Sequence, residues 1–217
     1  MMTNLFSVFD PTTGMLSMNW MSMLIPLLIL PLNFWYIPNK NMMIMNMIIN
    51  YLFLEMKLLM KYNGMQIFML SMFMLILFNN MMGLMPYVFT STSHLTFSLT
   101  LAVPMWISFM LYGWMNKTNN MFAHLTPIGT PNLLMPIMVI IETISNIIRP
   151  GSLSVRLTAN MIAGHLIMSL MGESSKTMTM IIMLLFMYML MMMFELAVAM
   201  IQAYVFVTLT NLYSSEI

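Results

Sequence analysis

The sequence predicts an all-α polytopic membrane protein with about five transmembrane helices and one interfacial amphipathic helix, the last two spans forming a long, tilted antiparallel hairpin. Three observations carry this fold class. Of 217 residues, 61% are apolar and only 6% charged, where a soluble domain has about 25% charged residues. The apolar residues fall into runs of the ~20 residues that a bilayer crossing needs, and the last two runs are much longer than one crossing. Spans fill the chain so completely that a soluble catalytic domain does not fit. A formal net charge of +1 gives no bulk attraction to nucleic acid, and with no cysteine, disulfides, thiolate metal sites and cysteine nucleophiles are excluded.

The whole of 1–217 reads as a single membrane domain. Its N-terminal span occupies 1–38, with the apolar run Met15 to Tyr36 interrupted by Pro26 and Pro31 and closed by Pro38; neighbouring helices can re-satisfy the carbonyls that such prolines free. The first residues, MMTNLFSVFDPTTG, have no basic flank or cleavage-like site and are expected to direct no import. Residues 39–63 carry Lys40, Glu55, Lys57 and Lys61 among apolar residues, the pattern of a helix lying on the membrane surface. Two spans follow in 64–120, Met65 to Leu84 and Leu95 to Met115, the second with Pro104 inside it.

The hairpin covers 127–213. Pro131 to Met171 would be roughly 60 Å long as one continuous helix, about twice the bilayer core, and Thr177 to Leu212 is nearly as long. Each is therefore expected to be tilted, broken or partly outside the hydrocarbon, with Pro150–Gly151 a candidate bend and Gly172 to Lys176 the turn. Basic residues stay on the side from which insertion occurs. Lys40, Lys57, Lys61 and Lys117 share one side if Asp10 lies on the other; five crossings then return the C-terminus to the basic side, and Lys176 alone dissents. No inverted repeat supports a secondary transporter. The 37 methionines are too flexible for a bulk core and point to an A+T-rich organelle genome with a code that reads an isoleucine codon as Met.

Ionisable residues inside apolar spans cost about 3 kcal/mol or more each and are functional candidates by default. Here they cluster: Glu142, Arg149, Arg156 and His165 in one long element, Glu195 in the other. A guanidinium stays charged at any accessible pH, so Arg156 cannot relay protons, but it can hold a nearby carboxylate ionised. Against that gate stands a plainer reading, an arginine snorkelling to an interface or paired with Glu195. Asn160 and Ala163 follow at i+4 and i+7, and Ala159 widens a stripe of small or polar residues that lets another helix approach. His165, nine residues on at 100° per residue, faces the opposite way.

Glu195, Ala199 and Gln202 share a face of the last helix. One antiparallel register would bring His165 to Glu195 and Arg156 to Gln202, and a His–Glu pair could either relay protons or satisfy two buried polar groups. Glu142 lies near the basic side and His165 nearer the other, which suits two aqueous accesses divided by a cation. Arg149 reads as an anchor to lipid or a neighbouring subunit, and His94 and His124 as solvated loop residues. No residue cluster supports a metal site, a nucleotide site or a cofactor. A buried mid-span lysine, wanted by a proton-pumping antiporter-like subunit, is lacking; a purely structural assembly subunit would leave the buried charges without a role.

VRLTANMIAGH at 155–165 and ELAVAMIQAYVF at 195–206 resemble the two signature helices of the subunit a family of mitochondrial F-type ATP synthases, and IETISNIIRP at 141–150 is similar to that family as well. The methionine-rich composition resembles the insect versions. The resemblance implies the mitochondrial inner membrane and a non-catalytic proton-channel subunit, with the c-ring, peripheral-stalk and other membrane-sector subunits as partners. It implies that Arg156 faces the c-ring carboxylates with Asn160 and Gln202 beside it. His165 and Glu195 would then line the half-channel open to the intermembrane space, and Glu142 the matrix-side half-channel. ATP synthesis would be driven by rotation and catalysed elsewhere.

Overall fold

The computed structural model describes residues 5–12, 17–29, 37–59, 64–126, 131, 134–173 and 178–216, and among these every regular element is helical. Short 3₁₀ turns at Leu5–Phe9 and Met18–Leu24 lead into α1, Ile25–Ile29. Then come α2 (Lys40–Leu59), α3 (Met65–Gly83), α4 (Leu95–Asn116), α5 (Thr118–His124), α6 (Met135–Glu173) and α7 (Met178–Glu216). Five of these helices, α2, α3, α4, α6 and α7, are long and apolar enough to cross a membrane. The count agrees with expectation, but its membership differs. The expected first span is described only as the apolar stretch Met18–Ile29, short of a crossing, and Pro31 and Tyr36 lie outside the described residues. The helix expected on the surface, α2, has the length and composition of a span.

Helices α6 and α7 have 39 residues each, about 58 Å at 1.5 Å per residue. Neither is broken: α6 runs through Pro150, whose missing N–H costs one helical hydrogen bond but whose ring is buried beside Ala102, Met105 and Phe109 of α4. Tilt or extension beyond the hydrocarbon therefore accommodates the excess length. The expected turn from Gly172 to Lys176 starts later than its first residue, since Gly172 and Glu173 still belong to α6, and the rest of it, with Lys176, lies outside the described residues.

The core joins five helices. Met56 of α2, Met69, Phe73 and Ile76 of α3, Ala102, Met105 and Phe109 of α4, Leu153 and Leu157 of α6, and Ala203, Phe206 and Val207 of α7 form one buried cluster. α3 and α7 run antiparallel in a single register, because Thr210 reaches Met69 Sδ at 3.7 Å and, eleven residues away on each helix, Asn80 Nδ2 donates to the Ala199 carbonyl at 3.4 Å. Buried Asn211 meets Met56 Sδ. The C-terminal end of α7 therefore lies level with the start of α3, and the chain alternates direction through α3, α4, α6 and α7. Hydroxyls within spans bond back to their own helix, as Ser154 does to Gly151 and Thr158 to Val155, which satisfies them without a partner helix.

The N-terminal segment packs at the other end of the bundle. Phe9 meets His165, and Trp20 meets Phe89 and His94. Beside Phe9, the Thr12 hydroxyl and backbone N–H donate to Asp10 Oδ1 at 2.6 and 3.1 Å and hold this exposed carboxyl below the usual carboxylate range.

Candidate functional site

Helix α6 is two-faced along its centre. Leu153, Leu157, Met161, Gly164 and Met168 are buried, while Ser152, Val155, Arg156, Ala159, Ala163 and Ile167 are exposed. Arg156 thus stands on an open face flanked by small residues, and no hydrogen bond or ion pair reaches it among the described residues. One turn on, Asn160 Nδ2 donates to Gln202 Oε1 at 2.9 Å. The register expected to bring Gln202 to Arg156 brings it to Asn160 instead, which leaves the charged group at the edge of the interface and places a neutral amide within it. Gln202 Nε2 and Asn80 Oδ1 are enclosed with no protein partner among the described residues, and Asn80 is bonded to α7 one turn from Gln202, at the Ala199 carbonyl.

Further from the basic side, Glu195 is buried and set directly against Gly164. A Cβ at Gly164 would collide with both of its carboxylate oxygens, so the absence of a side chain here lets the carboxylate lie against the α6 backbone. The next residue, His165, turns away by about 100°. One ring nitrogen meets the Gly83 backbone, Nε2 is enclosed without a partner among the described residues, and the ring packs at right angles to Phe9 with 6.2 Å between centroids. The expected His165–Glu195 pair therefore sits at one level of the hairpin, but no hydrogen bond joins the two among the described residues. Because Gly164 faces α7, His165 faces α3 and the N-terminal segment, on the side opposite Arg156.

At the basic end, a cavity of about 560 Å3 opens between α4, α5, α6 and α7, with Trp106, Trp114, His124, Glu142, Arg149 and Tyr213 in its wall. Arg149 Nη2 lies 3.5 Å from Glu142 Oε1, and its Cζ lies 4.9 Å from the centroid of the Tyr213 ring. Arg149, expected to reach lipid or another subunit, is engaged within the chain. His124 is exposed, as a solvated residue should be.

His94 is less open than expected of a solvated loop residue. It is half-buried between Phe89 and Trp20, both at 5.2 Å between ring centroids, with Nε2 enclosed. Its neighbours Thr90, Ser91, Thr92 and Ser93 are buried as well. Local polarity suggested a wet loop; the covering residue comes from a segment more than seventy positions earlier, and nothing in the local sequence signals it.

Compared with known proteins, the chain matches the ATP synthase A chain family over residues 14–215. It is 55% identical to an ATP synthase subunit a of Anopheles quadrimaculatus and 56% identical to one of Aedes aegypti, each over 225 aligned residues covering all of both chains. To one of Drosophila melanogaster it is 55% identical over 223 residues, again with full coverage of both.

Proposed function

The chain belongs to the ATP synthase A chain family, a multi-pass component of the proton-translocating membrane sector of a multisubunit complex, and from that premise we propose that Arg156 separates two offset proton half-channels. His165 and Glu195 line the one open to the intermembrane space. Glu142 and its cavity form the one open to the matrix, and Asn160 and Gln202 stand beside the arginine. The surroundings are the mitochondrial inner membrane. The rotor is a c-ring bearing carboxylates, the peripheral-stalk and other membrane-sector subunits hold this chain still, and the chain itself catalyses no ATP synthesis.

The observation that carries this reading is the exposed guanidinium on α6 with small residues on either side and no partner among the described residues. An arginine in a span costs about 3 kcal/mol or more. A carboxylate brought to about 4 Å returns about 4 kcal/mol at an effective dielectric near 20. The charge is therefore tolerable when another chain supplies that carboxylate, and the flat stripe of Ala159 and Ala163 lets a helix bring it close.

A proton arriving past His165 and Glu195 neutralises a rotor carboxylate, which can then enter lipid at modest cost, whereas an ionised one cannot. The carboxylate returns on the far side, releases its proton toward Glu142 and is held ionised by Arg156. Because the guanidinium does not titrate, it closes the short route between the half-channels. Enclosed atoms such as Gln202 Nε2 and Asn80 Oδ1 offer bonds that water can complete along the way.

The test is Arg156→Ala in the assembled complex. Coupled ATP synthesis is expected to be abolished while the complex still assembles, and normal coupled synthesis would sink the gate assignment.

A further inference from the structure

Glu142 and Arg149 are seven residues apart, two helical turns, so they share one face of α6 about 10 Å apart along the axis. Arg156 follows after seven more, continuing that face with a drift of only about 20° per step. The stripe thus carries an anion, a cation and a second cation in order from the basic side. The first two differ from the third in their surroundings. Arg156 stands on an open face with no partner among the described residues, whereas Arg149 is held from two directions, by Glu142 on its own helix and by the Tyr213 ring from the far end of α7.

We infer that Arg149 is a positioning residue for proton release: clamped against Tyr213, it aims the Glu142 carboxylate into the cavity between α4, α5, α6 and α7 and fixes a second, non-titrating charge there. This rests on the reading of Glu142 as the carboxylate of the matrix-side half-channel. Three features of the geometry support it. The pair is partly exposed, at 26% and 37% for Arg149 and Glu142, so it faces the cavity and is not sealed within the bundle. The planar guanidinium suits stacking on an aromatic face and bonding a carboxylate along its edge at the same time. The cavity wall also contains the imidazole of His124 from α5 and the phenol of Tyr213. Without Arg149, Glu142 would be the only formal charge among the described residues of that wall, with no cation beside it to fix its direction.

A lipid anchor would need only a positive charge at this depth. A positioning residue needs the plane, the ring beneath it and the carboxylate beside it, and these requirements separate under mutation. Proton pumping driven by ATP, and ATP synthesis, would be measured in membrane vesicles carrying the assembled complex, with the amount of complex normalised for each variant. Arg149→Gln is expected to slow both roughly three- to tenfold. Arg149→Lys, which keeps the charge and loses the plane, should recover part of the rate, and Tyr213→Leu should lose part of it.

The deciding comparison is the double variant. If Arg149 acts through Glu142, then Glu142→Gln with Arg149→Gln is no slower than Glu142→Gln alone. Losses that multiply would overturn the inference, as would a full rate in Arg149→Gln when Glu142→Gln is slow. A full rate in Glu142→Gln removes the half-channel reading itself, and the inference with it. Should Arg149→Gln prevent assembly, Arg149→Lys replaces it in the same cycle, with the same outcomes deciding.

Discussion

The two ends of the hairpin are built differently. Toward the N-terminal segment, Glu195 is pressed against Gly164, His165 is wedged between Gly83 and Phe9, and polar atoms are enclosed. Toward the basic side, Glu142 and Arg149 face a cavity of about 560 Å3. In one region ionisable groups are positioned by close packing, in the other by a charge pair beside a cavity. A tight region should be sensitive to added volume and an open one to lost charge. Arg156 lies between them and belongs to neither, which is why its removal is expected to have the largest effect of any single change, and Arg149→Gln tests the open end by removing one partner of its charge pair.

Gly164→Ala tests the tight end by volume. The added methyl meets only the far end of the flexible Glu195 side chain, so the carboxylate can swing aside and the fold should survive. Assembly is therefore expected to be normal while proton flux falls about tenfold, the ~1.4 kcal/mol of a displaced proton-binding group. At the open end, Asn146→Gln adds a methylene into the cavity wall and should leave flux unchanged. Glu195→Gln should slow flux more than Gly164→Ala does, because it removes the titrating group and not only its place. Equal sensitivity of the two ends to added volume would erase the contrast.

A smaller effect is expected at the level between them. Asn160→Leu leaves Gln202, already enclosed, with no bond to either amide atom, a cost of about 1–3 kcal/mol. Thermal stability of the purified complex should drop accordingly, with flux reduced severalfold. Paired replacement, Asn160→Leu with Gln202→Leu, should restore much of the stability and none of the flux. Restored flux would mean that the amides serve only packing.

The sequence revealed the parts whose cost is intrinsic. Charges inside apolar runs are expensive wherever they sit, so Arg156, His165, Glu195 and Glu142 stand out before any fold is known, and helical periodicity alone sends His165 away from Arg156. Pairings were less legible. The Glu142–Arg149 contact lay within reach, since a seven-residue spacing places both on one face, but Arg149 considered singly looked like an anchor. Gly164 could not be singled out, because its role depends on which residue of α7 lies opposite. The Asn160–Gln202 bond shows the same limit: a change of one turn in register exchanges one partner for another without changing any periodicity.

His94 marks the furthest reach of that limit and gives the smallest prediction. Its ring lies between Trp20 and Phe89 and so ties the N-terminal segment to the turn after α3 at the closed end. Stacking of this kind is worth about 0.5–1.5 kcal/mol, and a phenyl ring can supply it. His94→Phe should therefore leave stability and flux near those of the parent protein, while His94→Ala should lower thermal stability by about 1 kcal/mol and raise passive proton leak as the N-terminal segment loosens. The readout that separates packing from proton handling is the pH profile of flux in His94→Phe. If that profile moves while stability does not, the enclosed Nε2 takes part in proton transfer, and the closed end has a second titrating ring beside His165. An unmoved profile leaves His165 and Glu195 as the groups that set it and makes His94 part of the wall that keeps that end tight.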